Sequence, residues 1–135
     1  MTHRLFRRGG LVLAVALAAA GVAFAETPAQ ILQIYEGQAG GKGDPAAGRA
    51  LFFSRHSGGK PETPACTVCH TENLKAQGRT RAGKVIEPMA PSVNPQRLTD
   101  PKKVAKWLRR NCKSVLGREC SAKEKADIIA FLMTQ

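Results

Sequence analysis

The sequence predicts an all-α domain of about four helices, and three observations carry that reading. Four helix starts are written in capping chemistry, and the apolar residues behind them recur at helical spacing. The long segment between the second and third starts is rich in Gly and Pro, which suits irregular backbone.

The first start is Thr27-Pro28-Ala29-Gln30: a capping hydroxyl, a proline in the first turn and a glutamine three residues after the cap. Ile31, Ile34 and Tyr35 then fall on one face, and Gly37, Gly40, Gly41 and Gly43 end the helix in a flexible loop. Asp44-Pro45 starts the second helix, with Ala47, Ala50, Leu51 and Ser54 along one stripe. Gly48 sits within it, where close backbone packing would need it. Gly58 to Pro95 reads as mostly loop. Thr99-Asp100-Pro101 begins the third helix, and the capping box Ser121-Ala122-Lys123-Glu124 begins the fourth, which carries Ala126, Ile129, Ala130 and Met133 on one side. No internal repeat or second domain is visible.

The 135 residues suffice for one domain and little more. Residues 1–25 read as a secretory signal. Arg4, Arg7 and Arg8 form its positive start, Leu11 to Ala20 its apolar stretch, and Ala23-Phe24-Ala25 its cleavage site after Ala25. The 15 residues from Leu11 to Ala25 fall short of the roughly 20 that a spanning helix needs. The expected mature domain is therefore 26–135, located in the periplasm.

The formal net charge is +11, and removing a signal with three arginines and no acid leaves +8. Such a balance raises the question of nucleic acid, but export, few aromatic residues and scattered basic ones argue against it. A basic face that docks an acidic redox partner fits better, with solubility alone as the competing reading.

The chemistry concentrates at Cys66-Thr67-Val68-Cys69-His70. Two thiols separated by two residues can each add to one vinyl group of a haem, and the histidine that follows falls beneath the iron. Export agrees with this, because such haems are attached outside the cytoplasm. A thioredoxin-like dithiol would need a leading strand, and Pro61-Glu62-Thr63-Pro64 is poor strand material. A zinc site would need the other cysteines or His56 to complete four ligands. Four helices and long loops leave a small core, and a covalently bound haem c supplies the staple that small domains need. Cys112 and Cys120 remain, eight apart with Gly117 between them. In an oxidising compartment they should form a disulfide, worth roughly 2–3 kcal/mol for so short a loop.

Function turns on the group opposite His70. A firmly bound methionine or histidine makes an electron carrier, whereas a weak or absent ligand admits small molecules. His3 leaves with the signal, and His56 lies 14 residues before His70, just after a helix. Met133 reads as core. Met89, in Glu87-Pro88-Met89-Ala90-Pro91, sits in a proline-bounded loop of the kind that caps a haem, but only 19 residues from His70. On the third helix Val104, Trp107, Leu108, Cys112 and Val115 form an apolar stripe that Asn111 interrupts. A polar break in such a stripe marks either a functional site or an asparagine bonded to backbone near the helix end. The pattern alone leaves both open.

A resemblance narrows the choice. Gly58-Gly59-Lys60-Pro61, Cys66 to His70, Thr99-Asp100, Val104 to Leu108 and Arg110-Asn111-Cys112 resemble the cytochrome SHP (sphaeroides haem protein) family. Ser114 to Arg118, Cys120 and Glu124-Lys125-Ala126-Asp127 extend the likeness over nearly the whole expected mature chain. It implies a variant class I cytochrome c fold and Asn111 as the sixth, distal iron ligand. It further implies a high-spin haem, a Cys112–Cys120 disulfide, and release of the asparagine on reduction so that oxygen, nitric oxide or carbon monoxide can bind. The implied electron donors are a dihaem c-type cytochrome and a membrane cytochrome b; a monomer or weak dimer is expected. Met89 stands where this family is expected to have a non-coordinating apolar residue, so it remains the alternative ligand. Binding a diatomic is not turnover, and no general acid is apparent near the inferred distal side, so enzymatic activity is left open.

Overall fold

The computed structural model describes residues 25–135; the rest of the expected signal lies outside them. Along the chain come α1 (Pro28–Ala39), α2 (Pro45–Phe53), α3 (Thr67–His70), β1 (Gly78–Arg79), β2 (Val85–Ile86), α4 (Pro101–Leu116) and α5 (Ala122–Met133). The four long helices each begin one residue after the cap that predicts them. In α1 the Gln30 side chain accepts from the Thr27 N–H at 2.8 Å while the Thr27 hydroxyl accepts from the Gln30 N–H at 3.2 Å. Ser121 and Glu124 repeat this box at α5, at 3.1 and 2.8 Å. Asp44 and Asp100 cap α2 and α4 by accepting from Ala46 and Lys103 backbone. Between the second and third long helices the chain is mostly loop. It adds a single turn of helix at the cysteine motif and a two-residue antiparallel hairpin pairing Gly78 with Ile86 and Arg79 with Val85.

The core forms where α5 lies against α1 and α2. Seven consecutive residues, Ala126 to Leu132, are buried, so α5 is enclosed on all sides and has no solvent face through this stretch. Gly48 supplies the close approach that its position predicts. A Cβ built there would lie 1.9 Å from the Asp127 carbonyl oxygen. Asp127 is itself a buried carboxylate, and it accepts from the Asp44 N–H at 2.6 Å and from the Lys123 ammonium. A buried charge is tolerable only when paired and hydrogen-bonded in this way.

The expected apolar stripes need correction. On α2 the packed face is Gly48 and Phe52, with Ala47, Ala50 and Ser54 exposed. On α1 Ile31 and Tyr35 are buried, whereas Ile34 faces solvent. Met133, read as core, is exposed at the end of α5, past the last helix it could pack against.

Residues 58–63 lie against the C-terminal end of α4. The Lys60 N–H and the Thr63 hydroxyl both donate to the Ser114 carbonyl, at 2.7 and 3.1 Å. A Cβ on Gly59 would sit 2.2 Å from that same oxygen. This contact holds the end of α4 to the 58–63 loop, and the Cys112–Cys120 disulfide, Cα to Cα 5.6 Å, ties it to the segment that leads into α5.

Candidate functional site

A cleft of about 940 Å³, counting the open solvent at its mouth, runs between α4, the cysteine turn, the 87–99 segment and α5. Its walls carry Cys66 and His70 on one side and Val104, Leu108 and Asn111 on another, with Met89 and Arg97 from the intervening loop.

Cys66 and His70 reach this cleft from the two ends of the single tight turn α3, which also carries Cys69. Both thiols are free. Burial pushes the Cys66 thiol up to about 11, which keeps it protonated. Burial, with the Arg97 guanidinium nearby, brings the His70 imidazole down to about 4, so the ring is neutral and keeps a lone pair for a metal. Its Nδ1 is buried and has no hydrogen-bond partner. The ring leans on Phe52, centroids 6.0 Å apart, and Phe52 is held in turn by Phe53 and Phe131 at 5.7 and 5.8 Å. The chain leaves the turn through Thr71 at φ 62, a conformation unusual for a β-branched residue. The Thr71 hydroxyl donates to the Asn73 carbonyl at 2.9 Å. Gly78 then passes so near that a Cβ would lie 2.0 Å from the Cys69 carbonyl oxygen.

The donors and the space fit a covalently attached haem. Two free thiols and an imidazole share one turn, the imidazole has an unpartnered buried nitrogen, and an apolar cleft opens beside them. Arg97 and Lys103 on the cleft wall suit the haem's two carboxylates.

The distal candidates separate. His56 does not line the cleft; its Nε2 lies 3.0 Å from the Leu51 carbonyl oxygen. Met133 does not line it either. Met89 does, but its backbone N–H donates to the Leu74 carbonyl at 2.9 Å, which ties it to the segment four residues past His70. Asn111 is on the cleft wall contributed by α4. Among the described residues its carboxamide makes no hydrogen bond, whereas nearby Ser114 is bonded to Thr63 through both its carbonyl and its hydroxyl. Trp107, placed on the apolar stripe, lines the cleft but is half exposed, with Lys106 and Arg110 over its ring at 5.6 and 5.1 Å.

Arg97 went unnoticed in the sequence. Its Nε donates to the Pro88 carbonyl at 3.0 Å and a terminal nitrogen to the Glu87 carbonyl at 2.6 Å, and Asn94 also donates to Pro88 at 2.9 Å. These bonds shape the loop that carries Met89. A lone arginine in a polar loop offers no periodicity or spacing that would single it out.

Comparison with known proteins agrees with the cleft. Residues 38–132 match the domain of unknown function DUF1924. The chain is 50% identical to cytochrome c-type protein SHP of Cereibacter sphaeroides over 125 residues, covering 93% of this chain and 97% of that protein. It is 42% identical to cytochrome c'' of Methylophilus methylotrophus over 91 residues, 63% of this chain and 60% of that one. Among solved structures, oxidised SHP, described as an oxygen-binding cytochrome c, superposes with a TM-score of 0.79 at 51% identity. The match covers 82% of this chain and 99% of that one. Oxidised cytochrome c'' gives 0.68 at 31% identity, over 80% of this chain and 94% of that one. Matched over nearly its full length in both sequence and fold, the chain belongs to the cytochrome SHP family and is an all-α c-type cytochrome with covalently attached haem c.

Proposed function

We propose that this is a periplasmic monohaem cytochrome whose distal ligand depends on oxidation state, and that it binds a small diatomic when reduced. Cys66 and Cys69 would form the thioethers, His70 would hold the iron, and Asn111 would stand opposite His70. The haem, when bound, would supply the redox couple and the iron that holds small ligands. The observation that carries the reading is the Asn111 carboxamide, set on the cleft wall of an otherwise apolar helix face with no protein partner of its own.

An amide oxygen is a hard, neutral and weak donor, so Asn111 holds ferric iron better than ferrous. A difference of about 1.4 kcal/mol between the oxidation states changes its occupancy tenfold. Asn111 would withdraw on reduction of a bound haem, and the space it leaves would admit oxygen, nitric oxide or carbon monoxide. Its helix is tethered at the disulfide and at the 58–63 contact, so the side chain can swing without the domain opening. Export is read from residues 1–25. A dihaem c-type cytochrome fed by a membrane cytochrome b would supply the electrons.

Two spectra test this. The ferric protein should show a high-spin electron paramagnetic resonance signal that changes in Asn111→Ala, and the reduced protein should give a large, saturable Soret change with carbon monoxide. A low-spin ferric spectrum with no response to carbon monoxide would overturn the proposal.

A second reading rests on Met89, which also lines the cleft. It makes the protein a plain electron carrier with methionine bound in both states. That reading requires a near-infrared sulfur-to-iron band that disappears in Met89→Leu. The Asn111 carboxamide, which has no hydrogen-bond partner among the described residues, favours Asn111 instead.

A further inference from the structure

A second cleft lies on the side of α4 turned away from Asn111. It is an open groove of about 870 Å³, again counting the solvent at its mouth, formed by Tyr35 and Gln38 of α1, Lys102, Lys106 and Arg109 of α4, and Lys125 of α5. The three α4 cations stand at i, i+4 and i+7, one stripe along the helix, where like charges repel. Helix α4 carries no acidic residue to offset them. Among the described residues, Lys102, Lys106, Arg109 and Lys125 form no ion pair, while other basic residues around the molecule do. Glu119 is the one carboxylate on the wall, and it is paired with Lys113 at 3.5 Å.

Tyr35 adds a neutral donor to the charge, its hydroxyl within reach of solvent at the groove. Tyr35 is a core residue, 7% exposed, yet it lines this cleft, and among the described residues its hydroxyl has no hydrogen-bond partner. Burial also raises its pKa, which keeps the hydroxyl a donor. A neutral O–H donor, an amide and four cations around one concavity match a compact anion with several oxygens. Walls with a large excess of positive charge concentrate the field on such a ligand.

We propose that the groove between α1, α4 and the start of α5 is a binding site for a small multivalent oxyanion of the phosphate or pyrophosphate class, separate from the haem cleft. Arg109, Lys102 and Lys125 contribute the charge, Tyr35 a hydroxyl and Gln38 an amide. The reading is independent of which group lies opposite His70.

The test is a titration of the haem-loaded protein with sodium pyrophosphate, followed by two-dimensional nuclear magnetic resonance at ionic strength matched with sodium chloride. Saturable shifts should be confined to Tyr35, Gln38 and residues 102–109. Binding should weaken about tenfold in Arg109→Gln and less in Tyr35→Phe, with the visible spectrum of both variants unchanged. Shifts that never saturate, or that spread equally to Lys60, Lys75 and Lys84, would mean diffuse counterion attraction and overturn the proposal. Equal affinity for a hexaglutamate peptide, lost in the same variants, would reassign the groove to acidic protein segments and overturn it as well.

Discussion

Gly117 fits directly beneath the backbone of Gly58: a Cβ on Gly117 would lie 1.9 Å from the Gly58 carbonyl oxygen. Gly117 also ends α4 in the left-handed region, at φ 73. Both constraints act at the seam that holds the Asn111 end of α4 to the loop leading into the cysteine motif. Gly117→Ala should therefore destabilise the protein by at least about 2 kcal/mol, from the left-handed backbone and the steric clash together. Guanidinium denaturation of the haem-loaded protein measures it, and a loss under half of that would show the seam to be soft.

The disulfide tests the same seam covalently. Replacing Cys112 and Cys120 with serine should cost about 2–3 kcal/mol of stability in the chain-entropy model. Haem content should stay at one per chain, because neither residue belongs to the attachment turn. Carbon monoxide binding to the reduced double variant should tighten or speed up if the tether restrains Asn111. Unchanged kinetics would show that α4 is held by packing alone.

A pH dependence follows from Glu124, which accepts from both terminal nitrogens of Arg118 at 2.8 and 2.7 Å. The Arg118 hydrogen bond, foremost among several causes, brings the carboxyl from 4.5 down to about 2. A depressed carboxylate stabilises the fold above its unfolded pKa, and that contribution is lost as pH falls from about 4.5 to 2. The pair is partly exposed, so Glu124→Gln should cost only about 0.5–1 kcal/mol at pH 7. The variant and the parent should converge in stability near pH 2, as read by thermal melts across that range.

Trp107 is the sole tryptophan and lines the cleft. Its emission should be strongly quenched in the haem-loaded protein and recover when silver salts remove the haem. Bright emission from the intact protein would place the haem away from the α4 wall.

The helix starts and the haem motif were legible because capping and thioether chemistry are local: Thr27, Asp44, Asp100 and Ser121 act on residues two or three places away. Which face each helix buries was less legible. Ala47 and Ala50 look apolar, but Gly48 and Phe52 make the contact with α5, since only a glycine lets the two backbones meet. The expected one-sided stripe on α5 missed that the helix is covered by α1 and α2 while Ile128, Ile129 and Leu132 also wall the cleft. Met133, one residue beyond, emerges into solvent.

Chain chemistry alone therefore determined the caps, the single turn at the cysteine motif and the polar break at Asn111, because each depends on neighbours within a few residues. Packing decided what lies across a gap: Tyr35 under the α4 cations, Arg97 beneath the Met89 loop, and His56 turned to the Leu51 carbonyl and out of the cleft. Those pairings join positions far apart in the chain or depend on which way a side chain turns, and they form only once burial of the α5 core sets the helices in place.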